Sequence, residues 1–296
     1  MKMDYTLVEE WLIELEQTGR KSSTIQRYRW TVCKMLRTLE ENGRPTDPDK
    51  ITRDDIMFLN NTYGGKEHVI KMDLAMLSRY VKYHTGRNII KETNILYNSP
   101  QYERIWIDAE QFWRLYTEAD PSARMMLVLG AFMGLRRSEI IDIRDNDLKD
   151  GCMTVRGKGH GKNGKVVSMH IPKIVEEEIV RYRQWKKGFE SSGDGHLLQI
   201  PNQKNKGRLT RISRMTVSKR FLDLSKSTGI HVTCHSLRRL FATTLYFDIG
   251  CDELTLKTLM RHEQVATTFQ CYILPREQKT VESMDRLSSY MESVKI

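Results

Sequence analysis

The chain has 296 residues, 39% of them hydrophobic and 29% charged, which is the composition of an ordinary globular protein of one or two domains. No apolar run approaches the roughly 20 residues that span a bilayer, the N-terminus lacks an apolar secretory core, and five widely spaced cysteines without a CxxC pair argue against a disulfide framework or a zinc knuckle. A cytoplasmic protein is therefore expected, and its net charge of +10 (pI about 9.3) favours a polyanionic partner.

Residues 1–95 are predicted to be helical. Apolar residues between Leu7 and Leu15 lie on one face of a 3.6-residue period. Ser22 and Thr52 are capping residues that begin a second and a third helix, and a fourth helix runs from His68 to His84. No strand-like alternation occurs before residue 100, so the first part of the chain is predicted to be an all-helical domain.

Polar and proline residues between residues 93 and 105 interrupt the periodicity, which predicts a linker at 96–105 between domains at 1–95 and 106–296. Helices resume beyond it, at residues 109–119, 121–133, 173–187, 213–228, 236–248, 252–261 and 279–293. From Gly151 to Pro172, apolar residues flank a glycine- and lysine-rich centre, which predicts a short β-hairpin or small sheet with a basic turn. The predicted fold class is mainly α with a small β-hairpin or sheet.

Most of the excess positive charge lies after residue 100, where 32 basic residues accompany 24 acidic ones. One segment has seven basic residues and no acid: Lys204, Lys206, Arg208, Arg211, Arg214, Lys219 and Arg220. Contact with phosphates explains this bias better than a merely solvated loop and helix face, so this basic segment is a candidate DNA-binding surface.

Phosphodiester chemistry has two common solutions: carboxylates that hold divalent metals, or fixed cations around the phosphate with a side-chain nucleophile. The sequence has no convincing acidic metal cluster, but it has cations where predicted elements begin or turn. Arg136 follows Gly134 as an apolar helical pattern resumes, and Glu139 is close enough on a helix to hold it. An arginine can bind two phosphate oxygens at once, although an Arg-x-x-Glu pair alone is more typical of a surface salt bridge.

Three further groups have the same chemistry. His235 and Arg238 share one face at a predicted helix start, where the helix terminus also favours an anion. His262 is followed by Tyr272, a pair that alone is more typical of core or surface. The predicted hairpin turn has three lysines that can reach a phosphate or a leaving oxygen: Lys158, Lys162 and Lys165.

Taken in order, these groups resemble the tyrosine recombinase/phage integrase family, which includes the Xer, Cre and lambda-integrase proteins. The family pattern is an arginine with an acid three residues later, a hairpin lysine, His-x-x-Arg, a second His or Trp, and a tyrosine. The matching residues here are Arg136 with Glu139, Lys158, His235 with Arg238, His262 and Tyr272. HSLRRLFATTL is the most specific string, and the match covers roughly residues 106–280. It implies an α-rich catalytic domain.

The resemblance implies a recombinase that attaches DNA to Tyr272 through a 3′-phosphotyrosyl bond. Arg136 and Arg238 then neutralise the non-bridging phosphate oxygens. His235 assists removal of the tyrosine proton. The bond energy stays in the phosphotyrosine, so neither metal nor ATP is required.

Three other residues have implied supporting roles. Lys158 protonates the departing 5′ oxygen as general acid, His262 donates a hydrogen bond to the phosphate, and Glu139 orients its neighbours. The hairpin turn is extended, so Lys162 or Lys165 is an alternative to Lys158.

Two further details depart from the family pattern. The family usually has a glycine where Arg261 stands. Its tyrosine usually follows the second histidine by nine residues, whereas ten separate His262 from Tyr272. One added residue turns a helix by about 100°, so a bulge or a tighter turn must absorb it.

The implied partner is double-stranded DNA, bound by a homotetramer on synapsed sites in the cytoplasm, at the nucleoid and away from membranes. The helical first part resembles the family's core-binding (SAM-like) domain, and its candidate DNA contacts are Lys21, Arg27, Arg29 and Lys34. Candidates in the second part are Lys162, Lys165, Lys204, Lys206, Arg208, Arg211 and Arg214. Apolar residues at helical spacing in 279–296 predict a terminal helix that docks on a neighbouring protomer or packs on its own domain.

Two other functions fit parts of the same motifs. Type IB topoisomerases are related to the family and relax DNA with one subunit, but the small size and the recombinase-style motifs favour recombination. A non-catalytic DNA-binding relative is the second alternative. The intact set of Arg, Lys, His and Tyr residues argues against it.

Overall fold

A computed structural model of the chain describes residues 5–63, 67–93, 104–157, 166–205, 207–261, 269, 272–273, 284–285, 287 and 289. The chain divides into two compact units, the first mainly residues 1–103 and the second from residue 104 onward. The predicted domain boundaries and the linker at 96–105 stay predictions. No helix within the described residues is both long and apolar enough to cross a membrane.

The described residues of the first unit form five helices: α1 Thr6–Gln17, α2 Ser22–Glu41, α3 Arg53–Thr62, α4 Glu67–Thr85 and α5 Ile89–Thr93. Their apolar faces meet in one core, in which Trp11 stacks on Tyr28 at 5.4 Å and meets the edge of Tyr80 at 5.7 Å. Asp55 accepts from the backbone N–H of Thr52 and fixes the start of α3. The prediction of a helical first part is confirmed, and α5 is a helix that the sequence did not predict.

The second unit combines seven helices and two small antiparallel sheets within the described residues. The helices are α6 Ala109–Glu118, α7 Pro121–Met133, α8 Arg137–Asp142, α9 Lys173–Lys186, α10 Arg214–Thr228, α11 Cys234–Thr243 and α12 Glu253–Met260. The strands are β1 Leu148–Lys149, β2 Cys152–Arg156, β3 Val166–His170, β4 Gln199–Pro201 and β5 Leu209–Arg211. The sheet order is β1-β2-β3 in one sheet and β4-β5 in the other.

Helix α7 is the centre of the second unit. It is apolar along almost its whole length and packs against both α9 and α11, so nearly all of its residues are buried. Gly130 permits a close approach of α7 and α11, because a Cβ there would lie 2.8 Å from the Leu237 side chain of α11. The helices that carry the predicted phosphate-binding residues are therefore held against one another by the core itself.

Three parts of the second unit differ from the predicted elements. The basic segment was predicted as loop and helix, but β5 and its partner β4 form a hairpin there; each has three residues, too few for a period-2 pattern to show. The predicted helix 236–248 is α11 followed by a π-helical turn, Thr244–Asp248. Most of the predicted helix 279–293 lies outside the described residues. The predicted hairpin is present as β2 and β3, in register from Cys152 opposite His170 to Arg156 opposite Val166.

Candidate active site

A tight turn after α7 begins the candidate site. Gly134 ends the helix with a left-handed backbone (φ +56°), and its N–H bonds the carbonyl of Leu129. A Cβ at this position would also lie 2.5 Å from the Phe241 ring. Glycine alone adopts this backbone conformation without strain and has no Cβ to clash with the ring. The turn places Arg136 at the start of α8.

Arg136 and Glu139 form a closed pair at that helix start. The Arg136 backbone N–H donates to one Glu139 carboxylate oxygen at 2.8 Å, and the Arg136 guanidinium donates to the other at 2.6 Å. The Glu139 side chain is 1% exposed and that of Arg136 is 21% exposed. The contact predicted from their three-residue spacing is present, and it leaves part of the arginine open to solvent.

Helix α11 carries the His-x-x-Arg motif into the same place. The hydroxyl of Thr233 accepts from the Ser236 N–H, and the Ser236 hydroxyl accepts from the Thr233 N–H, which fixes where the helix begins. Arg238 is fully buried and donates to the carbonyls of Gly134 and Met260, at the ends of α7 and α12. A carbonyl from each helix end thus orients this guanidinium.

Tyr272 lies beside these side chains. Its hydroxyl is 3.5 Å from Nδ1 of His235, and the guanidinium carbon of Arg238 is 5.2 Å from its ring centre. Its backbone carbonyl accepts from the Thr243 hydroxyl at 3.1 Å, and its ring packs with Phe241 in a small apolar cluster. The structure therefore brings the predicted nucleophile, histidine and arginine together from distant parts of the sequence.

Arg261 is a member of the cluster whose role the sequence did not predict. Its guanidinium is buried and donates to the carboxylate of Glu139 at 2.8 Å and to the carbonyl of Gly134 at 2.7 Å. The sequence offered one indication, an arginine where the family usually has glycine. Its backbone is left-handed at φ +55°, the conformation for which glycine is favoured.

The electrostatics of the cluster follow from three arginines around one carboxylate. Burial raises the pKa of Glu139, but Arg261, the Arg136 N–H and the charges of Arg136 and Arg238 outweigh burial and lower that pKa below its ordinary value. Burial and the charges of Arg136 and Arg261 lower the pKa of Arg238 to about 9, so its guanidinium remains charged at neutral pH. The site has an excess of positive charge that suits an anion.

His235 responds to the same charges in the opposite sense. Burial lowers the pKa of its imidazole, and Arg239, Arg238, Arg137 and Arg136 lower it further. The ring is therefore neutral at neutral pH. A neutral ring has a lone pair with which to accept a proton.

Some of the predicted site residues lie outside the part of the chain that the structure describes. Lys158, Lys162, Lys165, Lys206 and His262 lie outside the described residues, as does most of the chain between His262 and Tyr272. The roles predicted for them stay predictions.

Several candidate DNA contacts already have acidic partners. Ion pairs join Arg27 to Asp73, Arg29 to Glu9, Arg208 to Glu190, and Arg211 to Asp142. Lys34 lies over the rings of Trp30 and Tyr63 at 5.2 and 4.1 Å. Three candidates are exposed and make no ion pair with any described residue: Lys21, Lys204 and Arg214.

The family is established by comparison with known proteins. Residues 105–279, more than half of the chain, match the model of the phage integrase family. This chain belongs to that family. The assignment made from the sequence motifs is thereby confirmed.

Relatives of this phage integrase family member extend along its whole length. The tyrosine recombinase XerA of Pyrococcus furiosus is 29% identical over 290 residues, which is 95% of this chain and 93% of that protein. The crystal structure of a lambda integrase (75–356) dimer bound to a COC′ core site has a TM-score of 0.69 at 19% identity, covering 92% of this chain and 95% of that one. The crystal structure of XerA recombinase has a TM-score of 0.52 at 21% identity, covering 95% and 97%.

These likenesses bear on two predictions. The structural neighbours share the fold, and the predicted mainly α class with small antiparallel sheets is confirmed. The family match and the curated relatives confirm the predicted enzyme class, a tyrosine-type site-specific recombinase.

Proposed function

We propose that this phage integrase family member cleaves and rejoins double-stranded DNA through a 3′-phosphotyrosyl bond at Tyr272. The observation that carries the proposal is the 3.5 Å separation between the Tyr272 hydroxyl and His235 Nδ1, with Arg238 beside the tyrosine ring. These side chains are a nucleophile, a base and a fixed cation, which are what covalent attack on a phosphate needs.

In the first step the Tyr272 oxygen bonds to the scissile phosphorus, and the bond from phosphorus to the 5′ oxygen breaks. A phenol is a weak acid at neutral pH, so its proton must pass to a base as the bond forms. His235 Nδ1 lies 3.5 Å from the Tyr272 hydroxyl, and the lowered pKa of this imidazole leaves it neutral and able to accept the proton. A 5′-hydroxyl from another DNA strand then reverses the step, and no ATP is consumed.

Arg136 and Arg238 neutralise the non-bridging oxygens as charge develops. Arg136 is partly exposed and oriented by both oxygens of Glu139, so it can meet the phosphate without reorganising. Arg238 has its charge in a site that water does not reach, where a fixed cation acts most strongly. The two arginines therefore reduce the cost of bringing an oxygen nucleophile to an anion.

The leaving 5′ oxygen needs a proton, and the hairpin lysine Lys158 is our candidate donor, with Lys162 and Lys165 as alternatives. A DNA in which sulfur replaces that 5′ oxygen tests this, because a thiolate leaves without a proton. Lys158→Ala should cleave ordinary DNA slowly and the sulfur-substituted DNA at the wild-type rate. Rescue seen only in the Lys162 or Lys165 variant would transfer the role to that lysine.

A nicked suicide substrate tests the proposed nucleophile. The short strand beyond the nick diffuses away after cleavage, so the protein–DNA adduct accumulates and survives denaturation. The adduct should form with the wild type and with Tyr246→Phe, a matched control at a tyrosine packed against the same apolar cluster, and should be absent with Tyr272→Phe. An adduct that survives Tyr272→Phe would rule out this nucleophile, and cleavage that needs a divalent metal would be lost in EDTA.

DNA binding and assembly are part of the same proposal. The solved lambda integrase neighbours include a dimer bound to a core site and a tetramer bound to a Holliday junction, and we propose that this chain assembles likewise on synapsed DNA, at the nucleoid in the cytoplasm. Met284 and Leu287 of the terminal segment are 62% and 52% exposed, which supports docking of that segment on a neighbouring protomer. Strand exchange between two sites, rather than relaxation of one plasmid, separates a recombinase from a topoisomerase.

A further inference from the structure

Arg261 has an unfavourable backbone conformation for an arginine. It follows α12 with φ +55°, and among the described residues only Asp150 is another non-glycine with positive φ. Left-handed backbone is strained for any residue with a Cβ, and glycine adopts it freely. Contacts made by the arginine side chain must therefore compensate for this strain.

Two of those contacts are with residues of the candidate active site, Glu139 and Gly134. The buried guanidinium donates to Glu139 at 2.8 Å, to the carbonyls of Gly134 and Leu259 at 2.7 and 2.8 Å, and lies 2.9 Å from the sulfur of Met169. The Arg261 carbonyl in turn is 3.5 Å from the Arg136 guanidinium. Side chain and backbone both contact the Arg136–Glu139 pair.

The position of Arg261 in the chain gives these contacts a consequence. Arg261 directly precedes His262, and the same segment continues to Tyr272. Glu139 uses one oxygen for the Arg136 guanidinium and the other for Arg261. One carboxylate thus joins the segment that bears the tyrosine to the arginine that meets the phosphate.

We propose that Arg261 is a positioning residue that ties the segment bearing Tyr272 to Arg136 through Glu139. This inference rests on the proposed function, since it concerns the same site. The link is a buried contact between the Arg261 guanidinium and the Glu139 carboxylate. Glycine at this position would give the same backbone turn without the link.

Charge makes the proposal testable separately from packing. The charged groups that face Glu139 are Arg136 from the turn before α8, Arg238 from α11 and Arg261 from the end of α12. Burial opposes ionisation of Glu139, and Arg261 is the strongest of the groups that favour it. Without Arg261 the pKa of Glu139 rises, so the carboxylate takes up a proton at a higher pH and releases Arg136.

The experiment compares Arg261→Gly with Arg261→Lys and the wild type in single-turnover cleavage across pH. Glycine suits the left-handed backbone, so it removes the side chain without adding strain. We expect Arg261→Gly to cleave roughly 100-fold more slowly and to bind DNA as well as the wild type. On the acid side it should lose activity at a higher pH than the wild type, because the raised pKa of Glu139 then passes that of His235, which sets the wild-type limit. Arg261→Lys keeps a charge near Glu139 and should keep the wild-type acid limit.

Two controls separate positioning from a general loss of structure. Asp150→Gly relieves the other left-handed residue, which is exposed and outside the site, and should cleave like the wild type. In a Glu139→Gln background, Arg261→Gly should no longer move the acid limit, because the titrating group is gone. Wild-type rates in Arg261→Gly at every pH would overturn the proposal, as would a uniform loss of rate with no change in the pH profile.

Thermal unfolding gives a readout that does not depend on cleavage. The Arg261–Glu139 contact stabilises the fold only while Glu139 is ionised, and the pKa of Glu139 lies below its ordinary value. The drop in Tm of Arg261→Gly should therefore be larger near pH ~7.5 than near pH ~3, which is below the ordinary glutamate pKa of about 4.3. An equal drop at both would also overturn the proposal. A wild type that forms no adduct, or an adduct that survives Tyr272→Phe, would instead overturn the proposed function.

Discussion

Arg238 holds a positive charge where water does not reach it. Its two terminal nitrogens donate to the Gly134 and Met260 carbonyls, which come from the ends of two different helices. A planar guanidinium can reach both acceptors at fixed angles, whereas the lysine ammonium is a single point of charge on a flexible stem. The shape of this side chain therefore matters as much as its charge.

We predict that Arg238→Lys loses both activity and stability. The Gly134 carbonyl also accepts from Arg261, so the acceptor at risk is the Met260 carbonyl. The shorter reach of a single ammonium leaves it without its donor, at a cost of about 1 to 3 kcal/mol. Loss of a fixed donor to the phosphate should slow adduct formation roughly 100- to 1,000-fold. Cleavage rates and urea unfolding measure the two effects, and a variant that keeps either at the wild-type value would contradict this account of the contacts.

In the proposed mechanism His235 is the base, so we expect it to set the acid limit of cleavage. The base must be neutral to accept a proton, so the rate should fall as the pH drops through the pKa of His235, which lies below the ordinary value of about 6.5. After burial, Arg239 is the group that lowers this pKa most, and Arg137 acts less. Arg239→Gln should move the acid limit of cleavage to higher pH, and Arg137→Gln should move it less.

A pH–rate profile of single-turnover cleavage checks that the acid limit shifts more in Arg239→Gln than in Arg137→Gln. The groups that face His235 are Arg136, Arg137, Arg238, Arg239 and the Tyr272 hydroxyl. Acid limits that coincide in the wild type and both variants would show that another group titrates in this range.

Single residues differ in how far the sequence predicts them. Arg136, Glu139, His235, Arg238 and Tyr272 form a recognisable motif, and the structure brings them together. The role of Arg261 could not be predicted, because it depends on the carbonyls of Met133 and Gly134 and on the carboxylate of Glu139, which are distant in the sequence. A sequence motif specifies side chains, so it does not indicate which backbone carbonyls a side chain will contact.

The turn between α7 and α8 decides where the arginines lie. Gly134→Ala places a Cβ in left-handed backbone, at about 1 to 2 kcal/mol, and against the Phe241 ring at 2.5 Å. We predict that it destabilises the protein by more than the backbone cost alone and slows cleavage, since the Gly134 carbonyl orients both Arg238 and Arg261.

Gly229→Ala is the matched control for that prediction. Gly229 ends α10 with φ +72°, and a Cβ added there has nothing within 4 Å. The alanine variant therefore has the strain of left-handed backbone but no steric clash. Its cleavage rate should remain that of the wild type. Equal losses of stability and activity in the two variants would mean that the contact with Phe241 is unimportant.

Elements were predictable where their pattern was long. Helices α6, α7 and α10 begin and end within one residue of their predicted bounds, because capping residues and an apolar face both indicate them. The β4–β5 hairpin was missed because three-residue strands hold no measurable alternation. The π-helical turn after α11 was missed because its composition is that of an ordinary helix.

Electrostatics act over the whole molecule. A net charge of +10 predicts that DNA affinity falls steeply with salt, in proportion to the number of phosphates contacted. Ion pairs decide which residues contribute: Arg211 is paired with Asp142, while Lys204 and Arg214 make no ion pair with described residues. We therefore expect Lys204→Gln and Arg214→Gln each to reduce the slope of log affinity against log salt by about 1.

Arg211→Gln is the paired comparison for those two variants. Arg211 is already paired with Asp142, so it should contribute less to phosphate binding. The slope of log affinity against log salt should therefore change less in Arg211→Gln than in the other two variants. Titrations at several salt concentrations measure all three. A larger change for Arg211→Gln would indicate that DNA displaces Asp142 as its partner.

The buried arginines also complete the ends of two helices. The last carbonyls of a helix have no partner within it, and here those of Met133, Gly134, Leu259 and Met260 accept from Arg238 and Arg261. In many enzymes a catalytic side chain can be removed without harm to folding, and sometimes with gain. In this chain Arg238 and Arg261 stabilise the fold as well as the site, so a descendant that had lost the reaction would still be stabilised by both arginines. Loss of the reaction alone therefore does not predict loss of these arginines, whereas loss of Tyr272 would remove the proposed nucleophile without removing any of these contacts.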